Sequence, residues 1–132
     1  MHGPTLGVQI GFDPTYDPQK PTGPPSLPQN IIRALVDTGA SESCIDAALA
    51  MSLNLPIIDQ RTFGGISGAH RANMHLAHIH IPSLGFIIYG SFAGVGLQAG
   101  GQHHQALIGR TFLKAFTMIY EGRTGTVTIH ND

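Results

Sequence analysis

The chain has 132 residues and a formal net charge of −1, and only 11% of its residues are charged. This length suits one domain with one hydrophobic core rather than two lobes with a site between them. The seven lysines and arginines are scattered singly, so no basic patch exists that could follow a phosphate backbone and no nucleic-acid partner is expected. Hydrophobic residues make up 42% of the chain, which favours a protein partner that covers part of the apolar surface.

Cysteine content and the N-terminus indicate a cellular location. Cys44 is the single cysteine, so the chain has no disulfide framework and fits a reducing compartment. Residues 1–4 lack the basic segment and apolar run of a signal peptide, and no stretch is long and apolar enough to span a bilayer. The sequence therefore predicts a soluble, cytoplasmic protein without a membrane partner.

Two strands separated by a proline-rich loop are predicted in the first third of the chain. Apolar residues alternate with small or polar ones over 6–12, as in a half-buried strand. Six of the nine prolines follow within 13–29, which predicts an extended surface loop. Ile31, Ile32, Leu35 and Val36 then predict a short buried strand.

The remaining chain predicts more short strands and little helix. Asp46 is a candidate N-cap for a helix over 47–53, and the runs 57–63 and 69–81 predict a long hairpin around a glycine-rich centre. Further strands are expected at 86–89, 92–97, 106–108, 118–120 and 126–129, with a short helix at 111–116. This pattern indicates a single all-β domain with one or two short helices.

The strand that ends at Val36 runs directly into Asp37-Thr38-Gly39-Ala40. A carboxylate at the end of a buried strand is a candidate catalytic acid or base, because burial raises the pKa of a carboxyl group. The glycine allows another backbone to come close. The alternative is that Asp-Thr-Gly forms only a turn.

Two further glycine-containing motifs follow the Asp-Thr-Gly segment. Gly64-Gly65-Ile66-Ser67-Gly68 forms the hairpin tip, where an isoleucine is expected to cover something unless the tip is an ordinary loop. Leu107-Ile108-Gly109-Arg110 repeats the pattern of an apolar strand that meets a glycine.

These three motifs, in this order, resemble the retropepsin family, the single-domain aspartic proteases of the retroviral type, and more closely the retroviral-like domains found in bacteria. The resemblance covers about residues 31–130. It implies a closed β-barrel that is half of an acid protease and works as a symmetric homodimer. It also implies that the chain, 1–132, is one protease domain, with a proline-rich loop at 13–29 and a flap at about 60–75.

The resemblance also implies a role for each motif. Asp37 would be catalytic, Thr38 would brace the two active-site loops across the dimer, and Gly39 would let the substrate backbone approach. Ala40 and the flap residues Gly64, Gly65, Ile66, Ser67 and Gly68 would bind substrate. Gly109 and Arg110 would pack behind the active-site loop.

Peptide hydrolysis by carboxyl groups explains why a dimer is expected. One group must activate water while another protonates the leaving amide, and two close aspartates do this by sharing one proton. The chain has one Asp-Thr-Gly, so the second Asp37 must come from a second copy. We therefore expect a homodimeric aspartic endopeptidase that needs no cofactor and takes peptide or protein substrates.

Several alternatives stay open. Retroviral enzymes often have an acidic residue after Asp-Thr-Gly-Ala that pairs with the arginine of Gly-Arg, whereas this chain has Ser41 and then Glu42. Arg110 is therefore expected to pair with Glu42 or Asp46, or to bind backbone carbonyls. A catalytically silent peptide-binding or dimerisation module is the alternative function.

The histidines and the cysteine suggest two other side-chain chemistries. His78 and His80 share a strand face and His103-His104 lie in a loop, but no cysteine or acidic ligand has matching spacing, so no metal site is expected. Strand histidines that face solvent or form hydrogen bonds are the better interpretation. Cys44 has no evident base nearby and is expected to be a small buried thiol.

Overall fold

The computed structural model describes residues 3–17, 19, 23–65 and 68–130. Its strands are β1 (Thr5–Gly11), β2 (Ile32–Val36), β3 (Cys44–Asp46), β4 (Ile57–Gly65), β5 (Gly68–Ile81), β6 (Phe86–Val95), β7 (Ala106–Ile108), β8 (Thr117–Glu121) and β9 (Thr126–His130). The helices are α1 (Ala47–Ser52) and α2 (Arg110–Leu113), and Pro82–Leu84 form a 3₁₀ turn. The predicted all-β fold with two short helices is confirmed.

Seven strands form one sheet that curls back on itself. Their order is β1-β2-β7-β3-β6-β5-β4, and β1 also pairs with β5, so six strands form a ring and β4 lies outside it. Strands β8 and β9 make a separate two-stranded sheet. The ring agrees with the barrel expected from the resemblance.

Alternating side chains fill the ring. The apolar residues at alternate positions 6, 8 and 10 of β1 and 77, 79 and 81 of β5 are buried, because successive side chains of a strand point to opposite faces. The buried apolar residues of these two strands that belong to the main core are Leu6, Val8, Ile10, Ala77, Ile79 and Ile81. Side chains from β2, β3, β6, β7, β9 and both helices also belong to this core.

Two local expectations were wrong. Ile31 lies before β2 and is 58% exposed, and Leu35 is only half-buried, because a pleated strand presents alternate residues to opposite faces. In β2 the deeply buried residues are Ala34 and Val36. The two strands expected at 86–89 and 92–97 are one strand, β6, because β5 pairs with it along its length, from Phe86 to Ala93.

Asp46 caps α1 as predicted. Its carboxylate accepts a hydrogen bond from the Leu49 amide at 3.2 Å and a second from the Gln98 amide at 3.1 Å. Helix α2 begins and ends earlier than the expected 111–116. Among the residues that the structure describes, none of the helices has the length and apolar character to cross a lipid bilayer.

Candidate active site

Asp37 lies where two parallel strands end. Strand β2 pairs in parallel with β7, with Val36 opposite Ile108, and the Asp37 amide donates a hydrogen bond to the Ile108 carbonyl at 2.9 Å. This bond fixes the backbone of Asp37 just as the chain leaves the sheet. The ring of strands therefore provides a rigid support for this carboxyl group.

A tight turn then orients the Asp37 side chain. The Gly39 amide donates to Asp37 Oδ1 at 2.9 Å, and the Ala40 amide donates to the Asp37 carbonyl at 3.2 Å. A Cβ atom on Gly39 would lie 3.2 Å from Oδ1, so the small residue fits this close contact. Asp37 is half-buried, whereas Thr38 and Gly39 are exposed. One carboxylate oxygen is thus held by the turn.

The segment after β7 holds the turn from behind. The Arg110 amide donates to the Ala40 carbonyl and the Thr111 amide to the Ser41 carbonyl, both at 2.9 Å. The Arg110 guanidinium donates through Nη1 to the Thr38 carbonyl at 2.8 Å. Of the partners expected for Arg110, the structure therefore selects backbone carbonyls rather than an acidic side chain.

Gly109 makes this close packing possible. A Cβ atom there would lie 2.6 Å from the Glu42 carbonyl oxygen and 2.9 Å from the Ala40 carbonyl oxygen. The Gly109 amide also donates to the Ser43 hydroxyl at 3.0 Å. Because the close atoms are backbone, any larger residue at 109 would push the whole loop outward.

Glu42 pairs with the hairpin instead of with Arg110. Its Oε2 lies 3.6 Å from Arg61 Nη1, and both side chains are about half-exposed. Such an exposed pair adds little stability. It does show that β4 passes beside the loop that carries Asp37.

Strands β4 and β5 form a long hairpin, and β4 lies outside the ring. Gly64 pairs with Ala69 and Gly65 with Gly68, and Gly68 has a φ of 107°, a conformation that glycine adopts without strain. The predicted tip residues Ile66 and Ser67 lie outside the described residues.

A cleft of about 350 Å³ separates the Asp37 loop from the hairpin. Gly39 and Ala40 line it on one side and Phe63 of β4 on the other. The full lining is Gly39, Ala40, Ser41, Glu42, Ser43, Cys44, Phe63, Ala93 and Val95. Backbone from the loop and mainly apolar side chains from the strands thus face the same space.

Sequence reasoning did not identify the cleft contribution of Phe63, Ala93 and Val95. Strand alternation could have suggested that residues 93 and 95 share one face, but not that Phe63 of the hairpin lines the same cleft. Cys44 is half-buried at the cleft, and burial raises the pKa of its thiol to about 11. A thiol this hard to ionise is a poor nucleophile.

The histidines considered as metal ligands lie in separate surroundings. His78 Nδ1 accepts a hydrogen bond from the Asp13 amide at 3.2 Å, His80 Nδ1 bonds Gln9 Oε1 at 2.9 Å, and His104 is fully buried. Within the described ranges, no three His, Cys, Asp or Glu side chains cluster where they could hold a metal ion.

Comparison with known proteins gives one family match. The family described as "gag-polyprotein putative aspartyl protease" matches residues 27–115, about two thirds of the 132 residues. None of the curated proteins matches the chain. The matched range contains the Asp37 turn, the hairpin and the Gly109-Arg110 segment.

Proposed function

Because this chain belongs to that family of retropepsin-like aspartyl proteases, as its three motifs predicted, we propose that it is an aspartic endopeptidase with Asp37 as its catalytic carboxyl group. The observation that carries the proposal is the placement of Asp37. Its carboxylate is held by the Gly39 amide at 2.9 Å, and Gly39 and Ala40 of its turn line a cleft that Phe63 of the β-hairpin also lines. Asp37 itself lines the groove next to this cleft. A fixed carboxyl at the edge of an open cleft suits general acid–base chemistry on a bound peptide.

The proposed mechanism uses two copies of the chain. One Asp37 carboxylate takes a proton from water as the water oxygen attacks the scissile carbonyl carbon, and the other Asp37 carboxyl gives its proton to the leaving amide nitrogen. The two carboxyls share one proton because both cannot be ionised at close range. A two-fold axis between them would supply the second group.

The surface beside Asp37 supports this arrangement. Thr38 is exposed, which leaves its side chain accessible to a second subunit. An open groove next to Asp37 is lined by Leu35, Met118 and Tyr120. On β8, Ile119 is 50% and Tyr120 42% exposed, and apolar surface of this kind is typical of homodimer interfaces.

The substrate would bind in extended form between the Asp37 loop and the hairpin. Among the described residues β4 pairs with β5 alone, so its other edge has backbone groups that an added peptide strand can pair with. Ala40 and the tip residues 64–68 would contact this peptide, and the tip would exclude water. The mechanism needs no cofactor, and the single thiol is compatible with the proposed cytoplasmic, bacterial setting.

The test is cleavage of a mixed peptide library from about pH 4 to pH 7 by the wild-type chain and by Asp37→Asn. Asparagine keeps an oxygen acceptor for the Gly39 amide, so the turn should persist while the acid–base group is lost. Cuts made by the wild type alone, and blocked by a pepstatin-type inhibitor, support the proposal. Silence of both proteins while light scattering shows a dimer would favour the alternative, a peptide-binding or dimerisation module.

A further inference from the structure

A second pocket lies on the outer surface of the ring, separate from the cleft beside Asp37. It has a volume of about 210 Å³. Residues Phe12, Asp13 and Tyr16, which follow β1, form one side, and residues of β5 and β6 form the other. No residue lines both this pocket and the cleft, and 12–16 precede the range that the family match covers.

Four rings are grouped at this pocket. The His78 ring stacks on Phe12, with centroids 5.6 Å apart, and on Tyr89, with centroids 4.7 Å apart. The Tyr16 ring is 5.3 Å from His78 and nearly perpendicular to it, at 82°. Tyr16 therefore packs against the stack at about a right angle. Tyr89 is 57% exposed, so the pocket is open to ligands from solution.

The imidazole of His78 contributes no positive charge. His78 is 3% exposed, and its Nδ1 accepts a hydrogen bond from the Asp13 amide at 3.2 Å, which requires the nitrogen to be unprotonated. Burial lowers the pKa of this histidine, consistent with a neutral ring at neutral pH.

Asp13 gives the pocket a negative charge. Hydrogen bonds to its carboxylate come from the Ser26 amide at 2.8 Å and from the Thr15 amide and hydroxyl at 3.0 and 2.7 Å, and they lower the pKa of Asp13. The carboxylate is therefore ionised at neutral pH. Neither lysine nor arginine occurs among the residues that line this pocket.

We propose that this pocket binds a methylated ammonium group. Electron-rich ring faces beside one fixed carboxylate are the surroundings that such a cation prefers, because its charge is spread over methyl groups that pack on ring faces. The volume leaves room for a quaternary head group and the start of its alkyl chain. An anion would meet the Asp13 charge, and a neutral apolar group would gain nothing from it.

Choline and its uncharged isostere 3,3-dimethyl-1-butanol test the charge requirement, with the full chain and no protease assay. Tyr16 and Tyr89 are two of three tyrosines in the chain, which has no tryptophan, so tyrosine fluorescence reports binding at this pocket. We expect choline to change the fluorescence and the His78 ring NMR signals, and to bind about tenfold more tightly than the alcohol. Equal binding of the two, or no change with choline, would overturn the proposal.

Three variants locate the binding. Asp13→Asn keeps a side-chain oxygen that can accept hydrogen bonds but loses the negative charge, and Tyr89→Ala removes an exposed ring. Each of these two variants should bind choline about tenfold more weakly than the wild type. Tyr120→Phe, on β8 outside this pocket, should leave it unchanged. Wild-type affinity in both Asp13→Asn and Tyr89→Ala, with folding verified by circular dichroism, would refute the assignment.

A final arm distinguishes the two sources of this head group. A short peptide containing trimethyllysine carries the same cation as choline on a protein side chain. Tighter binding of the peptide identifies a methylated protein as the source, and tighter binding of choline identifies a small molecule; both results support a methylated-ammonium site. The unmodified lysine peptide should bind more weakly than the trimethylated one, and the opposite order would contradict the proposal.

Discussion

Gly109→Ala should destabilise the protein by forcing the Asp37 loop away from β7. The added methyl group would lie 2.6 Å from the Glu42 carbonyl oxygen, whereas ordinary contacts begin at 3.4 Å, so the backbone must move by about 0.8 Å. That shift would strain the 2.9 Å bonds from Arg110 and Thr111 to the loop carbonyls.

The size of the effect follows from these contacts. Overpacking against backbone costs about 1–3 kcal/mol, and two weakened hydrogen bonds add about 0.5–1.5 kcal/mol each. We expect a loss of about 2–6 kcal/mol in the free energy of unfolding. At a urea m-value of about 2 kcal/mol/M, the middle of the usual range, the urea midpoint should fall by about 1–3 M.

Gly90→Ala is the matched control, because a Cβ atom on Gly90, in β6, would have no heavy atom within 4 Å. Urea unfolding of wild type and both variants at one protein concentration, followed by far-UV circular dichroism, makes the comparison. Gly90→Ala should unfold near the wild-type midpoint. If Gly109→Ala also does, the packing argument for Gly109 is refuted.

Three further predictions concern side chains away from Gly109. Asp46→Ala leaves the amides of Leu49 and Gln98 without their acceptor and should lower the free energy of unfolding by about 2–4 kcal/mol; an unchanged urea midpoint would contradict this. Burial lowers the pKa of His78, so just below pH 6.5 the folded chain binds fewer protons than the unfolded chain. The free energy of unfolding should therefore fall as the pH is lowered through that window, and it should fall less steeply in His78→Phe. Equal pH dependence of the urea midpoints of wild type and His78→Phe would contradict this prediction. The pKa of the Cys44 thiol is raised to about 11 in the folded chain. At pH 8 the folded chain should therefore react with Ellman's reagent on the order of a hundredfold more slowly than the chain unfolded in urea. Similar rates for the folded and unfolded chains would contradict this prediction, because they would show that the thiol is accessible and ionisable.

Local sequence patterns predicted most of the fold and the placement of Asp37. The strand, turn and glycine sequence around Asp37 is local, as is the hairpin that ends at Gly65 and Gly68, so propensity and turn chemistry were sufficient. The Asp46 cap followed for the same reason. Burial of Ile31 was predicted wrongly, because the length of an apolar run does not indicate which residues begin the strand and which face each takes.

The surroundings of Asp37 depend on contacts that residue identity does not encode. The Arg110 side chain binds the Thr38 backbone carbonyl. Because every residue has a backbone carbonyl, the sequence does not distinguish this partner from an acidic side chain such as that of Glu42 or Asp46. Phe63 lines the same cleft as Gly39 and Ala40, although it lies more than 20 positions away in sequence. The aromatic stack at His78 joins residues 66 positions apart in sequence, Phe12 and His78, and no local pattern connects them.

The most direct test of the proposed protease mixes wild-type chain with the Asp37→Asn variant in different proportions at constant total concentration. The rate of peptide cleavage is measured against the fraction of wild-type chain. If both catalytic carboxyls come from separate copies, only wild-type pairs are active. Activity should then follow the square of the wild-type fraction, so an equal mixture retains about a quarter of the original rate. A linear dependence, with about half the rate retained, would show that one Asp37 suffices and would contradict the shared site.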